Sequence, residues 1–383
     1  MRPNAVRTAR FTESVIRGMS RLAAQHGAVN LAQGFPDFAM PAAMKAAAIG
    51  AIEDDVNQYA ITWGAKPLRD AICARYAAHY GMPVDPETEI TVTCGATEAM
   101  ASVVLALLDP GDEVIIFEPF YENYGPDAIL CDAVPVFVPL VAPAWTFDPD
   151  ALARAVTPRT RAIIVNSPHN PTGRVLTREE LQQIAALAIA HDLLVFTDDP
   201  YEYIRYTGTH IPIATLPGMA ERTVTISSLS KTFSCTGWRL GYAIAPAART
   251  RAIRAVHDFL TVGAPAPLQQ AAAVGYAFPE RYFDGLAQEY AEKRAFLGAA
   301  LRAAGFRCED PEGAYYFFAD FSAISQETDV RFAERLVTDI GVATVPGSSF
   351  YRPGAVEGQR YVRFAFCKSM ATLERAAERL SRL

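Results

Sequence analysis

Between residues 89 and 246 the sequence keeps one rhythm, a short apolar run followed by a turn and a helical run. EITVTC, DEVIIFEP, AVPVFVPL, RAIIVNSP, LLVFTDDP, RTVTISSL and RLGYAIAP read as strands. GATEAMASVVLALL, DPDALARAV and TREELQQIAALAIAHD read as helices, and AVPVFVPL is taken to follow DEVIIFEP with no helix between. Parallel strands need a crossover, usually a helix, so this alternation predicts an α/β chain with a mostly parallel, doubly wound sheet. Ligands of such sheets lie beyond the carboxyl ends of the strands.

The flanking segments are organised differently. Residues 11–25 place Val15, Ile16, Met19 and Leu22 at helical spacing, with Thr12 as the expected N-cap. From Val29, VNLAQGFPDFAMP is too rich in turn residues for a helix and reads as an arm or crossing loop. A helix is expected over 41–54 and another ending at Gly81, with Gly64 and Pro67 breaking the pattern between them. Residues 246–278 are largely helical apart from TVGAPAPLQ. The run PERYFDGLAQEYAEKRAFLGAALRAAG is long enough to link two domains. Beyond it, FRCEDPEGAYYFFADF, a helix over 329–340, ATVPGSSF and RYVRFAFC make a smaller α+β unit. The expected division is an N-terminal arm over 1–40 joined to the smaller unit, a large domain over 41–279 and a small domain over 280–383.

Composition limits the partners. A formal net charge of -7 removes the broad attraction that nucleic acid or anionic lipid would require, so any anion site must be local. Cysteines 73, 94, 131, 235, 308 and 367 form no CxxC pair, which suggests neither a zinc site nor a disulfide framework. The first residues hold no apolar signal region and no later run has the length of a membrane helix. A cytoplasmic protein with small-molecule partners and no metal is expected.

The stretch 227–242, SSLSKTFSCTGWRLGY, sets Lys231 among Ser227, Ser228, Ser230, Thr232, Ser234 and Thr236, with Arg239 further on. Surface lysines ordinarily sit among charges; this setting reads as an enclosed pocket that accepts an anion. Desolvation and a neighbouring cation both lower an amine's pKa and leave it free to attack a carbonyl. The alternative is a solvated lysine following a strand.

SLSKTFSCTGWRLGY resembles the lysine segment of class I aminotransferases, the fold type I pyridoxal phosphate (PLP) enzymes. NLAQGFPDF, residues 30–38, resembles the signature of their kynurenine, glutamine and methionine aminotransferase branch. The likeness runs over residues 13–368. It implies a fold type I architecture and a Schiff base at Lys231. The implied reaction moves an amino group between an L-amino acid, with a hydrophobic, sulfur-containing or aromatic side chain, and a 2-oxo acid.

That chemistry also asks for a phosphate anchor, an acid at the ring nitrogen, donors at the phenolic oxygen and a grip on the substrate carboxylate. Gly95, Ala96 and Thr97 open a helix directly after a strand, where backbone N–H groups favour an anion, and Ser228 and Arg239 stand at another strand end. The resemblance implies that these hold the phosphate, with Tyr59 reaching it from the other subunit of a homodimer. It implies Asp198 as the partner of the ring nitrogen. Asp199 is the competing choice, and strand alternation sends the two side chains to opposite faces. Tyr201 and Asn170, the latter in NSPHNPTG, are implied donors to the phenolic oxygen, and Tyr121 in EPFYENY the residue stacked on the ring. Read locally, NPTG is a turn and Tyr121 a core or loop residue. Arg363 alternates with apolar neighbours in RYVRFAFC, where a buried guanidinium is costly without an anion. The resemblance makes it the bidentate grip on the substrate α-carboxylate, while Arg360 reads as a surface charge. Gly34, Asn170 and Trp63 complete the implied substrate contacts, with Tyr59, Trp63 and Phe350 as pocket walls. Pro200 and Cys235 depart from the residues common in the family.

Three other readings compete. Ser228 to Lys231 also spells the SxxK of serine hydrolases, but the SDN and KTG triplets and an export signal that go with it are missing. PLP folds also serve as sensing domains of transcription regulators, which carry a DNA-binding domain that the short arm cannot hold. A β-lyase or oxidase would use the same lysine and aspartate.

Overall fold

The computed structural model describes residues 5, 11 and 13–383. Thr12, expected to cap the first helix, lies outside the described residues. Helix α1 (Val15–His26) is capped instead by Ser14, whose side chain accepts from the Arg17 N–H, and it ends at Gly27 in the left-handed region. Strand β1 (Val29–Asn30), helix α2 (Ala42–Glu53) and helix α3 (Lys66–Tyr80) follow.

The alternating region comprises β2 (Ile90–Thr93), α4 (Ala96–Leu107), β3 (Glu113–Glu118), α5 (Tyr124–Leu130), β4 (Val134–Val141), β5 (Thr146–Phe147), α6 (Pro149–Arg154), β6 (Thr160–Asn166), α7 (Arg178–Ala190), β7 (Leu194–Asp198), β8 (Thr223–Ser228), α8 (Leu229–Thr232) and β9 (Gly241–Ile244). Helix α5 is the element that the sequence pattern hides. Gly125 and Pro126 signal a turn, yet a proline in the first turn of a helix forfeits no helical hydrogen bond. Helix α7, by contrast, announces itself through a capping box between Thr177 and Glu180.

These strands form one eight-stranded sheet in the order β2-β9-β8-β7-β6-β3-β4-β5. Strands β4, β3, β6, β7 and β8 are parallel, and β9 is antiparallel to both β8 and β2. Two reversals bring β2 back to the direction of β8. The carboxyl ends of β2, β3, β6, β7 and β8 therefore open on the same edge, and that edge carries the site. Alternation divides the side chains between two cores. Ile115, Phe117, Ile163, Val165 and Val195 pack on one face, and Val114, Ile116, Ile164, Phe196, Val224 and Ile226 on the other.

Helices α9 (Ala247–Thr261) and α10 (Ala266–Tyr276) lead to the long α11 (Glu280–Ala303). Strand β10 (Tyr316–Asp320), helix α12 (Asp329–Arg335), strands β11 (Val342–Ala343), β12 (Val345–Pro346) and β13 (Tyr361–Ala365), and helix α13 (Met370–Leu380) complete the chain. Strand β13 is the middle of a three-stranded antiparallel sheet and pairs Arg363 with Phe318 on one side and Val345 on the other. Strand β1 lies parallel to β11, and the Ala365 N–H donates to Leu31 across 2.8 Å, so the segment after β1 runs beside β13. Among the described residues no helix is long and apolar enough to cross a membrane, and no group of three or more metal-ligating side chains is gathered.

Candidate active site

Beyond the carboxyl edge of the large sheet lies a cavity of about 530 Å³. It brings together Gly34, Ala96, Thr97, Tyr121, Asn170, Asp198, Tyr201, Ser228, Lys231, Arg239 and Arg363, residues that the sequence scatters over more than three hundred positions.

Lys231 follows β8 on the single turn α8. Its Nζ donates to the Gly34 carbonyl at 3.2 Å, and the Tyr315 ring lies 5.9 Å away. Burial, helped by Arg239 and Arg363, brings the amine down to about 8, against the pull of the Cys367 thiol and Asp198. A minor but usable fraction of the amine is therefore neutral near physiological pH, as a nucleophile must be.

Asp198 ends β7, and its Oδ2 accepts from the Tyr124 hydroxyl at 2.7 Å. Burial pushes the carboxyl up to about 6, although the Tyr124 bond and the Lys231 charge oppose the shift. Asp199 takes the opposite face. Its Oδ2 accepts from Thr197 at 2.6 Å, and it does not line the cavity.

Arg363 is almost completely buried. Its Nη1 donates to Asn170 Oδ1 at 2.8 Å and its Nη2 to the Ala32 carbonyl at 2.9 Å, while Nε has no hydrogen-bond partner. The guanidinium lies 4.2 Å from the Tyr316 ring centre and 4.8 Å from that of Phe350. No carboxylate pairs with it among the described residues, so a buried positive charge faces the cavity without an anion. Tyr201 and Tyr316 share a hydrogen bond of 2.9 Å beside it.

At the other end Gly95, at φ 84°, precedes α4 with no side-chain cap. A Cβ on Gly95 would fall 2.5 Å from Arg239 Nη2, and one on Gly241 would fall 2.4 Å from the Ala96 nitrogen. These two glycines let the Arg239 guanidinium and β9 close on the first turn of α4. Uncapped helix N–H groups, a guanidinium and the hydroxyls of Thr97, Ser228 and Ser230 form a donor set for a phosphate.

Several expected residues lie elsewhere. Trp63, expected to contact substrate, packs 4.7 Å from Arg254, and its carbonyl accepts from the Val92 N–H at 3.0 Å. The neighbouring Gly64 presses on Val92 too closely for a Cβ, which pins Trp63 against β2, away from the cavity. Tyr59 is 87% exposed beside Asn57, Cys94 and Gly263, outside this protomer's cavity. Phe350 backs the Arg363 guanidinium and forms no wall. Pro200 does line the cavity, whereas Cys235 is buried with its Sγ 3.6 Å from the Leu229 carbonyl.

Tyr124, Tyr316, Asp127, Ser14, Arg17, Gln33 and Glu122 also line the cavity and carry no mark in the sequence, whereas Ser230 is expected beside Lys231. Tyr121 stands before α5 and Tyr124 opens it; the turn in which the Tyr124 N–H donates to the Tyr121 carbonyl at 3.1 Å brings their rings to 5.9 Å. Tyr316 gave no signal, because an aromatic in GAYYFFADF looks like core.

A mostly parallel sheet with a buried lysine amine, a buried carboxyl, hydrogen-bond donors at an uncapped helix start and an arginine without an anion at its carboxyl edge suits an enzyme that condenses an amine with a phosphorylated carbonyl cofactor. The sequence profile described as Aminotransferase class I and II matches residues 27–380. The chain is 44% identical to the probable N-succinyldiaminopimelate aminotransferase DapC of Mycobacterium tuberculosis, over 97% of this chain and 96% of that one. It is 36% identical to human kynurenine–oxoglutarate transaminase 3, over 98% and 89%. The solved structure of the M. tuberculosis N-succinyldiaminopimelate aminotransferase superposes with a TM-score of 0.96 over 99% of this chain and 100% of that one. Escherichia coli YbdL, identified as a methionine aminotransferase, superposes with a TM-score of 0.95 at 35% identity over 100% of both. The chain belongs to the class I and II aminotransferases. It is a PLP-dependent transferase of amino groups with the fold type I architecture.

Proposed function

We propose that this aminotransferase takes its amino group from an L-amino acid with a hydrophobic, sulfur-containing or aromatic side chain and passes it to a 2-oxo acid. One observation carries the reading: a lysine amine, a buried carboxyl and a guanidinium without an anion open onto a single cavity. When bound, PLP supplies the aldehyde that condenses with amines and the ring that takes up electrons from the substrate's Cα.

The residues divide the remaining work. Lys231 offers a neutral amine to the cofactor and a base at Cα. Asp198, steadied by Tyr124, holds a proton on the ring nitrogen. Asn170 gives its carbonyl oxygen to Arg363, which leaves its amide N–H groups, with the Tyr201 hydroxyl, for the phenolic oxygen. Ala96, Thr97, Ser228 and Arg239 would hold the phosphate, and Tyr121 would stack on the ring. Arg363 takes the α-carboxylate, with Gly34 beside it. Ile16, Phe35, Met100 and Tyr316 offer apolar surface to a side chain, and Ser14, Arg17, Gln33 and Glu122 a polar mouth.

The protein is proposed to work as a homodimer in the cytoplasm, with Tyr59 reaching the partner's phosphate. Phe259 is 91% exposed and Ile52, Ile61, Leu260 and Val262 are also exposed, a set of apolar side chains that a second copy would cover. Six free cysteines suit a reducing compartment. The proposed division at residues 41–279 and 280–383, with 1–40 joined to the latter, is supported by the confinement of the large sheet to the first span. The test is a spectral half-reaction of the holoenzyme with methionine, kynurenine, N-succinyldiaminopimelate, leucine and aspartate, followed by a panel of 2-oxo acids. Conversion by the long side chains but not by aspartate is expected; preference for aspartate would overturn the proposed class.

A further inference from the structure

The segment between β1 and α2 crosses the cavity as a strap, and successive carbonyls of the strap accept from three cations. Ala32 accepts from Arg363 Nη2 at 2.9 Å and Gly34 from Lys231 Nζ at 3.2 Å. Between and beyond them, Gln33 and Phe35 both accept from Lys368 Nζ, at 3.2 and 2.7 Å. The same Nζ lies 4.1 Å from the centre of the Phe35 ring. Lys368 is buried, and no carboxylate comes within ion-pair distance of it among the described residues; Asp37 acts on it through charge alone.

An ammonium in this position is expensive unless it is fully used. Here it is spent on two backbone carbonyls that flank Gly34. The strap has no slack on its other side, because a Cβ on Gly34 would fall 2.2 Å from the Tyr316 hydroxyl oxygen. Its end is fastened too: the Asp37 carboxylate accepts from the Ser369 N–H and the Thr372 hydroxyl.

We propose that Lys368 is a positioning residue for the substrate: by clamping Gln33 and Phe35 it sets Ala32 against Arg363 and Gly34 against Lys231, and so fixes the spacing between the carboxylate grip and the reacting nitrogen. An α-amino acid has to match that spacing, whereas an amine without a carboxylate does not. The proposal rests on the reading of Arg363 as the grip. Lys368 touches neither substrate nor cofactor in this account and acts through the strap.

Lys368→Met removes both bonds at similar volume, and Lys368→Gln keeps a donor for one carbonyl, which covers the case in which the methionine variant does not fold. In the holoenzyme the cofactor absorbance is expected to persist while KM for an L-amino acid rises between about tenfold and about a hundredfold, with kcat less affected. Turnover of a simple amine should hardly change, and Lys368→Gln should fall between wild type and Lys368→Met. In the cofactor-free protein, the pH midpoint for reaction of Lys231 with PLP should lie lower in Lys368→Met than in Lys368→Gln: both remove the same charge, and only the methionine leaves the strap, and with it the Gly34 acceptor, unheld. Equal losses with amino acid and amine, or the same midpoint in the two variants, would overturn the proposal. Arg363→Lys is measured alongside. If it leaves the amino acid to amine ratio untouched while the midpoint in Lys368→Met still lies below that in Lys368→Gln, the grip reading has failed and the hold of Lys368 on the strap stands.

Discussion

Arg363 gives an N–H to the side-chain oxygen of Asn170 across 2.8 Å, and that bond joins the middle strand of the small sheet to the loop after β6 of the large one. The proposed carboxylate grip and a donor proposed for the cofactor are thereby one connected unit. A perturbation on either side reaches the other.

For Arg363→Lys the cofactor absorbance is expected to survive, since a lysine still places a cation near Asn170. A single ammonium cannot reproduce the planar fork that serves Ala32, Asn170 and a carboxylate together. Loss of that bidentate fit should lower catalytic efficiency with amino acids by about two to three orders of magnitude, ~3–4 kcal/mol at about 1.4 kcal/mol per tenfold. Steady-state kinetics with an amino acid and with a simple amine separate the cases. Equal loss for both would make Arg363 a structural residue.

The two aspartates make opposite predictions. Asp198→Asn replaces the carboxylate on the cavity face by a neutral amide that stabilises a protonated ring nitrogen far less, and activity should fall by about a hundredfold or more. Asp199 is strongly biased by burial towards its neutral form, so Asp199→Asn changes little at that site and should stay active. The sign with pH follows from burial. The Asp198 pKa is raised from 3.8 to about 6, so in the cofactor-free protein the folded state binds more protons than the unfolded one between those values. This group's contribution to stability therefore falls as pH rises through that window. Affinity for the cationic cofactor ring should move the other way and weaken below about pH 6, which absorbance titrations at several pH values measure.

If two copies complete each other's sites, Phe259→Asp should break the pair, because a buried like-charged carboxylate from each copy cannot be paired. Sedimentation should then show a monomer, and Tyr59→Phe in the intact dimer should weaken cofactor binding without changing assembly. A fully active Phe259→Asp monomer would remove Tyr59 from the site.

What the sequence could reveal follows from where each signal is written. The strand ending at Asp198 is an apolar run closed by polar residues and that ending at Ser228 alternates threonine with apolar residues, so their carboxyl ends, and the site beyond them, were legible. Alternation separated Asp198 from Asp199, but only the packing of α5, with Tyr124 at 2.7 Å, shows which face the cavity takes. Trp63 looked like a pocket wall because an aromatic between turn residues has no local reason to be there. Its partners, Arg254 and the backbone of Val92, are far away in the chain. The strap at Ala32 to Phe35 was visible as a turn-rich segment, yet its function lies in carbonyl oxygens, which every residue carries and no sequence pattern marks.

Lys231 ties both stability and reactivity to pH. Burial, assisted by Arg239 and Arg363, lowers the amine from 10.5 to about 8 in the folded, cofactor-free protein. Well below pH 8 the amine is protonated in both folded and unfolded chains. Between 8 and 10.5 the folded protein has released a proton that the unfolded chain still holds, so the protein's stability should rise with pH across that window. Reactivity has the same origin. The neutral fraction grows about tenfold per pH unit below the midpoint, so the rate of reaction with PLP should climb to about pH 8 and then level off. Stopped-flow absorbance on the cofactor-free protein measures this, with Lys231→Ala as the unreactive control. A midpoint near 10.5 would mean that water solvates the amine freely, and the enclosure formed by Gly34, Tyr315 and the two arginines would not be what prepares it for chemistry.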